Sequence, residues 1–169
     1  MSFIKLIRLE VSGPNNKFSD IEFGKKATII AGPSDTGKTA IFKCIDFIFG
    51  SKNDERHAPF DTEDGYTIVR LIIDTTYGVI SLQREIGSSI TSVSCDNPEI
   101  ETGDYALDES KKNPKTINKL MLKILGLRDD LFVPKNKEGK PESFTWRSLK
   151  RAFFVDESRA DQSRSILLP

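Results

Sequence analysis

The chain is short of the residues on which several kinds of chemistry depend: in 169 residues it has 2 cysteines, 1 histidine, 2 methionines and 1 tryptophan. Two unclustered cysteines, Cys44 and Cys95, make neither a disulfide framework nor a thiolate metal site, so they read as reduced core thiols. The lone His57 supports no catalytic role. The only long apolar run, Ala40 to Phe49, is interrupted by Lys43 and Asp46 and falls well short of the ~20 residues of a membrane span. The N-terminus, MSFIKLIRLEV, mixes Lys and Arg with apolar residues and has no secretory core or cleavage site, which points to a cytoplasmic protein without membrane contact. Repeats, low-complexity tracts and long heptad runs are missing too. Net charge is likewise absent, with 25 Lys and Arg against 25 Asp and Glu. The halves nevertheless differ: residues 1–110 hold 11 basic and 18 acidic side chains, residues 111–169 hold 14 and 7. Such asymmetry permits DNA contact by the C-terminal part, through Lys135, Lys137, Lys140, Arg147, Lys150 and Arg151, or else marks a solvated basic face.

What is present is concentrated in Ala27 to Gly50. Gly32-Pro33-Ser34-Asp35-Thr36-Gly37-Lys38-Thr39 fits G-x-x-x-x-G-K-[ST], a Walker A phosphate loop. The backbone must curl round a polyphosphate with its N–H groups inward, and a side chain at Gly32 or Gly37 would obstruct that approach. Lys38 would reach the β and γ phosphates, the Thr39 hydroxyl would ligate Mg²⁺, and the helix that follows would present its positive end to the same anion. Residues 32 to 40, ending at Ala40, are thus the candidate nucleotide site, for ATP with Mg²⁺. The β-branched run Thr28-Ile29-Ile30-Ala31 predicts a buried strand feeding the loop, and Thr39 to Phe49 predicts a helix apolar on nearly every side, buried between layers and stopped by Gly50.

Around this centre, Phe3 to Val11 and Phe18 to Phe23 predict two strands separated by the turn residues Ser12 to Asn16. Ser51 to Gly65 reads as a surface loop. Tyr66–Ile73 and Val79–Ile86 predict a β-hairpin, with a third strand over Ile90–Cys95. Asp96 to Pro114 reads as a polar linker. Ile117, Leu120, Met121, Ile124 and Leu125 have helical spacing with Gly126 as the stop. Val133 to Glu142 reads as a second loop, and Ser143 as the cap of a last helix to about Val155, with Trp146, Leu149, Ala152 and Phe153 inward and Arg147, Lys150 and Arg151 outward.

Two strands, then IIAGPSDTGKTAIFKCIDFIFG, resemble the N-terminal lobe of an SMC/RecF/SbcC-type ABC ATPase head. Its phosphate loop usually reads G-x-N-G-S-G-K-[ST], with Ser34-Asp35-Thr36 here in place of Asn-Gly-Ser, and its helix ends as Phe49-Gly50 does. The resemblance implies an α/β fold: a mixed sheet, an antiparallel β arm over 66–95, a central phosphate-loop helix within 1–50, and a helical segment over 116–157 leading to a Q-loop-like region. It also implies that Arg56, just beyond the helix, is placed to reach DNA or a neighbouring nucleotide. Leu82-Gln83-Arg84 is similar to an arginine-bearing segment of the family's β arm.

Ala152-Phe153-Phe154-Val155-Asp156-Glu157 has three readings, the plainest of which is a solvated helix end. By placement it is similar to the family's Q-loop, with Asp156, Glu157 or Gln162 where a metal-touching glutamine would stand. By composition it matches a Walker B strand, in which Asp156 would support Mg²⁺ and Glu157 would activate water. No Leu-Ser-Gly-Gly signature precedes it, so the resemblance spans about half an ATPase head. It implies a catalytically incomplete ATP-binding lobe acting in DNA repair, DNA maintenance or anti-phage defence, with a C-terminal lobe or second head, in a homodimer or complex, completing it. A non-hydrolysing nucleotide sensor and a small P-loop kinase are the alternatives. Neither Asn118-Lys119 nor Asn136-Lys137 continues as the Asn-Lys-x-Asp of a GTPase.

Overall fold

The computed structural model describes residues 2–15, 17–33, 37–51, 59–60, 65–110, 114–134 and 141–153. Six strands, β1 (Ile4–Ser12), β2 (Phe18–Glu22), β3 (Ile68–Thr75), β4 (Gly78–Glu85), β5 (Ile90–Cys95) and β6 (Gly103–Ala106), form one sheet in the order β2-β1-β3-β4-β5-β6. Among the described residues stand also the helices α1 (Lys38–Ile48), α2 (Ile117–Ile124) and α3 (Trp146–Phe153), and the small hairpin of β7 (Phe132–Pro134) and β8 (Pro141–Ser143).

Alternation decides which face of the sheet is covered. On β3 the residues Val69, Leu71 and Ile73 are fully buried, and the register sets Leu71 against Leu82 and Ile73 against Ile80 of β4, so one face is a continuous apolar floor. Helix α1 packs on β3, β1 and β4, and Ile117, Leu120, Met121 and Ile124 of α2 join the same core. On β1 the phase changes: the pairing with β3 slips between Leu6 and Arg8, which turns the even-numbered Ile4 and Leu6 as well as the odd-numbered Leu9 and Val11 toward the core. The opposite face carries a polar ladder in which Arg8 pairs with Glu22, Asp20 and Glu10, and Arg70 reaches Glu10 at 3.3 Å and Gln83 at 2.6 Å. Exposed pairs of this kind add little stability, but they keep that face wet.

Several expectations change. The sheet is not mixed: every pairing in it is antiparallel, and the parallel contact is an isolated bridge between Ala106 and Thr116. The reason lies at residues 28–31, which form no strand; Ile29 is 93% exposed, because the run finds no neighbouring strand among the described residues. The helix after the phosphate loop is buried only in its second half, from Cys44 on. The polar linker 96–114 contains β6, held by buried Tyr105 whose hydroxyl donates to Glu101 O. Residues 133–142 belong in part to the β7–β8 hairpin. The last helix is capped by Thr145 rather than Ser143, since the Thr145 hydroxyl accepts from Ser148 N at 3.3 Å. The hairpin and third strand over 68–95, the Gly126 stop (φ 71°) and the Gly50 stop (φ 95°) follow the sequence pattern.

Candidate functional site

The site begins where α1 does. Gly37 occupies the N-cap with φ 82°, a left-handed conformation that an L side chain adopts only with strain. A Cβ added there would meet nothing within 4 Å among the described residues, so it is the backbone angle that asks for glycine. Among the described residues no side chain caps the helix, and its first turn has no acidic residue. The first turn therefore brings no carboxylate of its own to the partial positive charge of the helix end. The Lys38 ammonium donates to Gly32 O at 2.8 Å and to Pro33 O, which turns the cation back onto the first residues of the motif. Thr39 is exposed on the first turn, with Ala40 beside it.

At its other end the same helix is enclosed. Phe47 and Ile48 are fully buried, and Arg84 of β4, itself only 1% exposed, lays its guanidinium 3.9 Å from the Phe47 ring centroid. Arg84 donates to Phe47 O at 2.7 Å, Ser51 O at 2.8 Å and Ser88 O at 2.9 Å. Burial, with Arg147 nearby as a second cation, pushes its pKa down to about 10. Arg147 of α3 donates to Gly50 O at 2.5 Å, while Trp146 packs edge-on against Phe49 with centroids 5.6 Å apart. Two cations from other elements thus meet the negative end of α1, whose own last turn has no basic residue.

Beside the open end lies a cleft of about 370 Å³ between α1 and the β1–β2 edge of the sheet. Gly37, Ala40 and Ile41 form one wall, Leu9 and Val11 the floor, and Ser19 with Tyr66 the far side. The Ser19 and Tyr66 hydroxyls are hydrogen-bonded at 2.8 Å, and the Phe60 and Tyr66 rings pack at 4.9 Å. Sequence reasoning missed this feature, because its residues come from separate segments of the chain and share no periodicity.

Of the sequence candidates, Gly32, Pro33, Gly37 and Lys38 are brought together, with Thr39 and Ala40 on the adjoining turn. Ser34, Asp35 and Thr36 lie outside the described residues, as do Arg56, Lys135, Lys137, Lys140, Asp156, Glu157 and Gln162. Arg147 is engaged by the C-terminus of α1. Among the described residues no group of three or more His, Cys, Asp or Glu side chains could hold a metal alone. A Mg²⁺ held by one hydroxyl together with phosphate oxygens and water needs no such group, and exposed Thr39 suits that arrangement.

The G-x-x-x-x-G-K-[ST] spacing, a left-handed Gly37 at the helix start and a lysine turned back onto Gly32 and Pro33 are the parts of a module for a nucleotide's polyphosphate. The chain belongs to the AAA domain family, whose model matches residues 10–166. Membership makes it an ATP-binding, ATPase-type domain and implies a nucleotide, as a rule with Mg²⁺. A comparison with curated proteins finds no match. No helix among the described residues is long and apolar enough to cross a membrane.

Proposed function

We propose that the chain is the Mg-ATP-binding N-terminal lobe of an SMC/RecF/SbcC-type ATPase head, working in DNA repair, DNA maintenance or anti-phage defence, with hydrolysis requiring a further lobe and head dimerisation. The observation that carries this reading is the state of residues 27–33. Residues 28–31 form no strand on the way into the phosphate loop, and the β-branched Ile29 is almost wholly exposed. An apolar run with strand propensity that has no partner strand among the described residues is a strand short of a sheet, and a further lobe of the head would supply neighbours on both sides.

When ATP is bound, the chain's own groups would act at separate points. Lys38 would neutralise charge on the β and γ phosphates, the loop and first-turn N–H groups would orient the phosphate chain, and the Thr39 hydroxyl would be a ligand for Mg²⁺. Activation of the attacking water falls to Glu157 on a Walker B reading of 152–157, with Asp156 toward the metal. On the Q-loop reading it falls to a residue of the added lobe. Any DNA contact would rest on Lys135, Lys137, Lys140, Lys150 and Arg151 more than on Arg147, whose guanidinium already serves Gly50 O.

The test is ATP turnover by the chain alone and after addition of the C-terminal lobe of the same head. Turnover should be scarcely measurable alone and rise by orders of magnitude with the lobe, and Thr39→Ala should then reduce it through the lost metal ligand. Robust hydrolysis by the 169-residue chain alone, abolished by Lys38→Ala and by Glu157→Gln, would overturn the half-site reading and make Asp156-Glu157 a working Walker B. Transfer of phosphate to an added acceptor would mean a kinase instead.

A further inference from the structure

We infer that the core under the C-terminal end of α1 binds a single internal water, held between Arg84 of β4 and Thr91 of β5. The site stands apart from the phosphate loop, and two unpartnered polar groups point to it. Among the described residues, the buried side-chain polar atoms without a hydrogen-bond partner are Arg84 Nη2 and Thr91 Oγ1. Buried polar groups are as a rule bonded, and an exception in a folded chain calls for a water or an ion. Thr75 and Thr116, buried as well, obey the rule: Thr75 Oγ1 donates to Gly78 O at 2.9 Å and accepts from Tyr77 N at 3.1 Å, and Thr116 Oγ1 accepts from Lys119 N at 3.2 Å.

The two exceptions are neighbours. Arg84 and Thr91 stand opposite each other in the antiparallel register of β4 and β5, and the alternation of buried residues, Ile80, Leu82 and Arg84 on one strand with Thr91 and Val93 on the other, turns both toward the core. At 1% and 0% exposure neither reaches bulk solvent. The guanidinium is rigid and presents Nε–H and one Nη2–H as a parallel fork. Nε donates to Ser88 O at 2.9 Å, in the turn between β4 and β5, which aims the unpartnered Nη2–H toward the same turn, three residues before Thr91. Stacking at 3.9 Å from the Phe47 centroid uses the face of the guanidinium and leaves its in-plane N–H bonds unanswered. The occupant must accept from Nη2–H and pair with a hydroxyl that can give or take. A water does both, and its remaining hydrogen can go to Ser88 O, whose second lone pair Nε does not use. That makes about three bonds, the usual number for an internal water. A halide would also accept from both groups, but it would lie against the same carbonyl oxygen, which repels it.

The sign of one substitution tests the site. A hydroxyl buried without a partner destabilises the fold, so replacing it by a methyl of the same shape helps; for a hydroxyl bonded to a water the same replacement harms. Thr91→Val should therefore lower the folded-to-unfolded ratio about fivefold in urea unfolding. In an Arg84→Met background, where the water has lost its other anchor, Thr91→Val should be neutral or favourable, and the difference between the two backgrounds measures the bridge. A crystal structure of the chain should place one ordered water at about 3 Å from both Nη2 and Oγ1, and crystals soaked in sodium bromide should give no anomalous peak at that position. Stabilisation of the parent by Thr91→Val, an equal loss in both backgrounds, a protein oxygen bonded directly to Nη2, or a bromide peak between the two side chains would each overturn the assignment. Where Arg84→Met does not fold, the sign in the parent and the crystallographic density still decide.

Discussion

At its C-terminal end α1 is surrounded by side chains from β4 and α3, and at its N-terminal end it stands half open beside a cleft. The closed end has Phe47 and Ile48 fully buried, Phe49 against Trp146, and two arginines on its last carbonyls. The open end has an uncapped glycine, a first turn without acidic residues, and one lysine folded into the loop. Helix dipoles make both ends electrostatically unfinished. Among the described residues the negative end is met by the chain's own cations and the positive end by no acidic side chain of the first turn, an arrangement that suits an anion from outside. Stability is therefore concentrated at one end of the helix and binding at the other, and substitutions along α1 should separate the two properties.

The largest effect on stability should come from Phe47→Ala, which removes a fully buried ring and the surface under the Arg84 guanidinium. A loss of about 3–5 kcal/mol is expected from denaturant unfolding. Lys38→Ala, ten residues or fewer away on the same helix, should cost under about 0.5 kcal/mol, as surface substitutions do, yet remove most Mg-ATP affinity in calorimetry. If Lys38→Ala unfolds the chain, or Phe47→Ala leaves it as stable as before, the two ends do not differ as described.

Next in size is Arg84. Its Nε and Nη1 are committed to three carbonyls, and among the described residues Nη2 has no acceptor and no carboxylate forms an ion pair with the guanidinium. Arg84→Ala should lose about 2–4 kcal/mol, because it opens a cavity and strips buried carbonyls of their donor. Arg84→Met keeps most of the volume and discards the cost of burying a charge, so it should lose less, by about 1–2 kcal/mol. A Met variant worse than Ala would mean that the cation, not the filling, holds the closed end.

How far could this division be read beforehand? The open end was legible, because Gly32, Gly37, Lys38 and Thr39 sit at fixed spacing within one segment and local geometry does the rest. The strands 68–95 were legible for a similar reason: alternation is a local signal, and turn chemistry at Gly78 (φ 93°) closes the hairpin. The closed end was not. Arg84 in Leu82-Gln83-Arg84 occupies an inward position of an alternating strand, where the pattern asks for an apolar residue, and only the pairing of Val69 with Arg84 and the placement of Phe47 show why a guanidinium lies there. Thr28-Ile29-Ile30-Ala31 failed in the opposite sense. Its local propensity is for strand, but a strand exists only where a partner does, and none of the described residues supplies one. β6 was hidden because Gly103-Asp104-Tyr105-Ala106 is short and polar, and its pairing with Ile90 to Val93 is what makes it a strand.

A smaller effect is expected at Arg147, which serves the closed end from the surface. One charge-assisted bond from an exposed side chain to Gly50 O should be worth about 1 kcal/mol or less, read as a small drop in the unfolding midpoint of Arg147→Ala. Reversing charge at Arg147, Lys150 and Arg151 together also tests DNA contact, since phosphate contacts release counterions and binding should fall steeply with salt. If the reversed variant binds duplex DNA as the parent does, Arg147 is a strut and this face is only solvated.

The smallest effect locates the boundary between the two ends. Cys44 lines the cleft but is only 1% exposed, and burial pushes its thiol up from 9.0 to about 12. The folded chain thus keeps a proton that the unfolded chain releases near pH 9, so this thiol's contribution to stability is full below pH 9 and is lost as pH rises toward 12. Burial raises Tyr105 in the same sense, while the lowered pKa of Arg84 acts oppositely above pH 10, so the Cys44 share is read as the difference between the parent and Cys44→Ala. At pH 8 a disulfide reagent should label Cys95, which is partly exposed, well before Cys44, whose thiolate is scarce and shielded. Labelling of Cys44 as fast as Cys95 would move the boundary toward the C-terminus: the open region would then reach past the second turn of α1, and the closed end would begin only at Phe47, where Arg84 grips the helix.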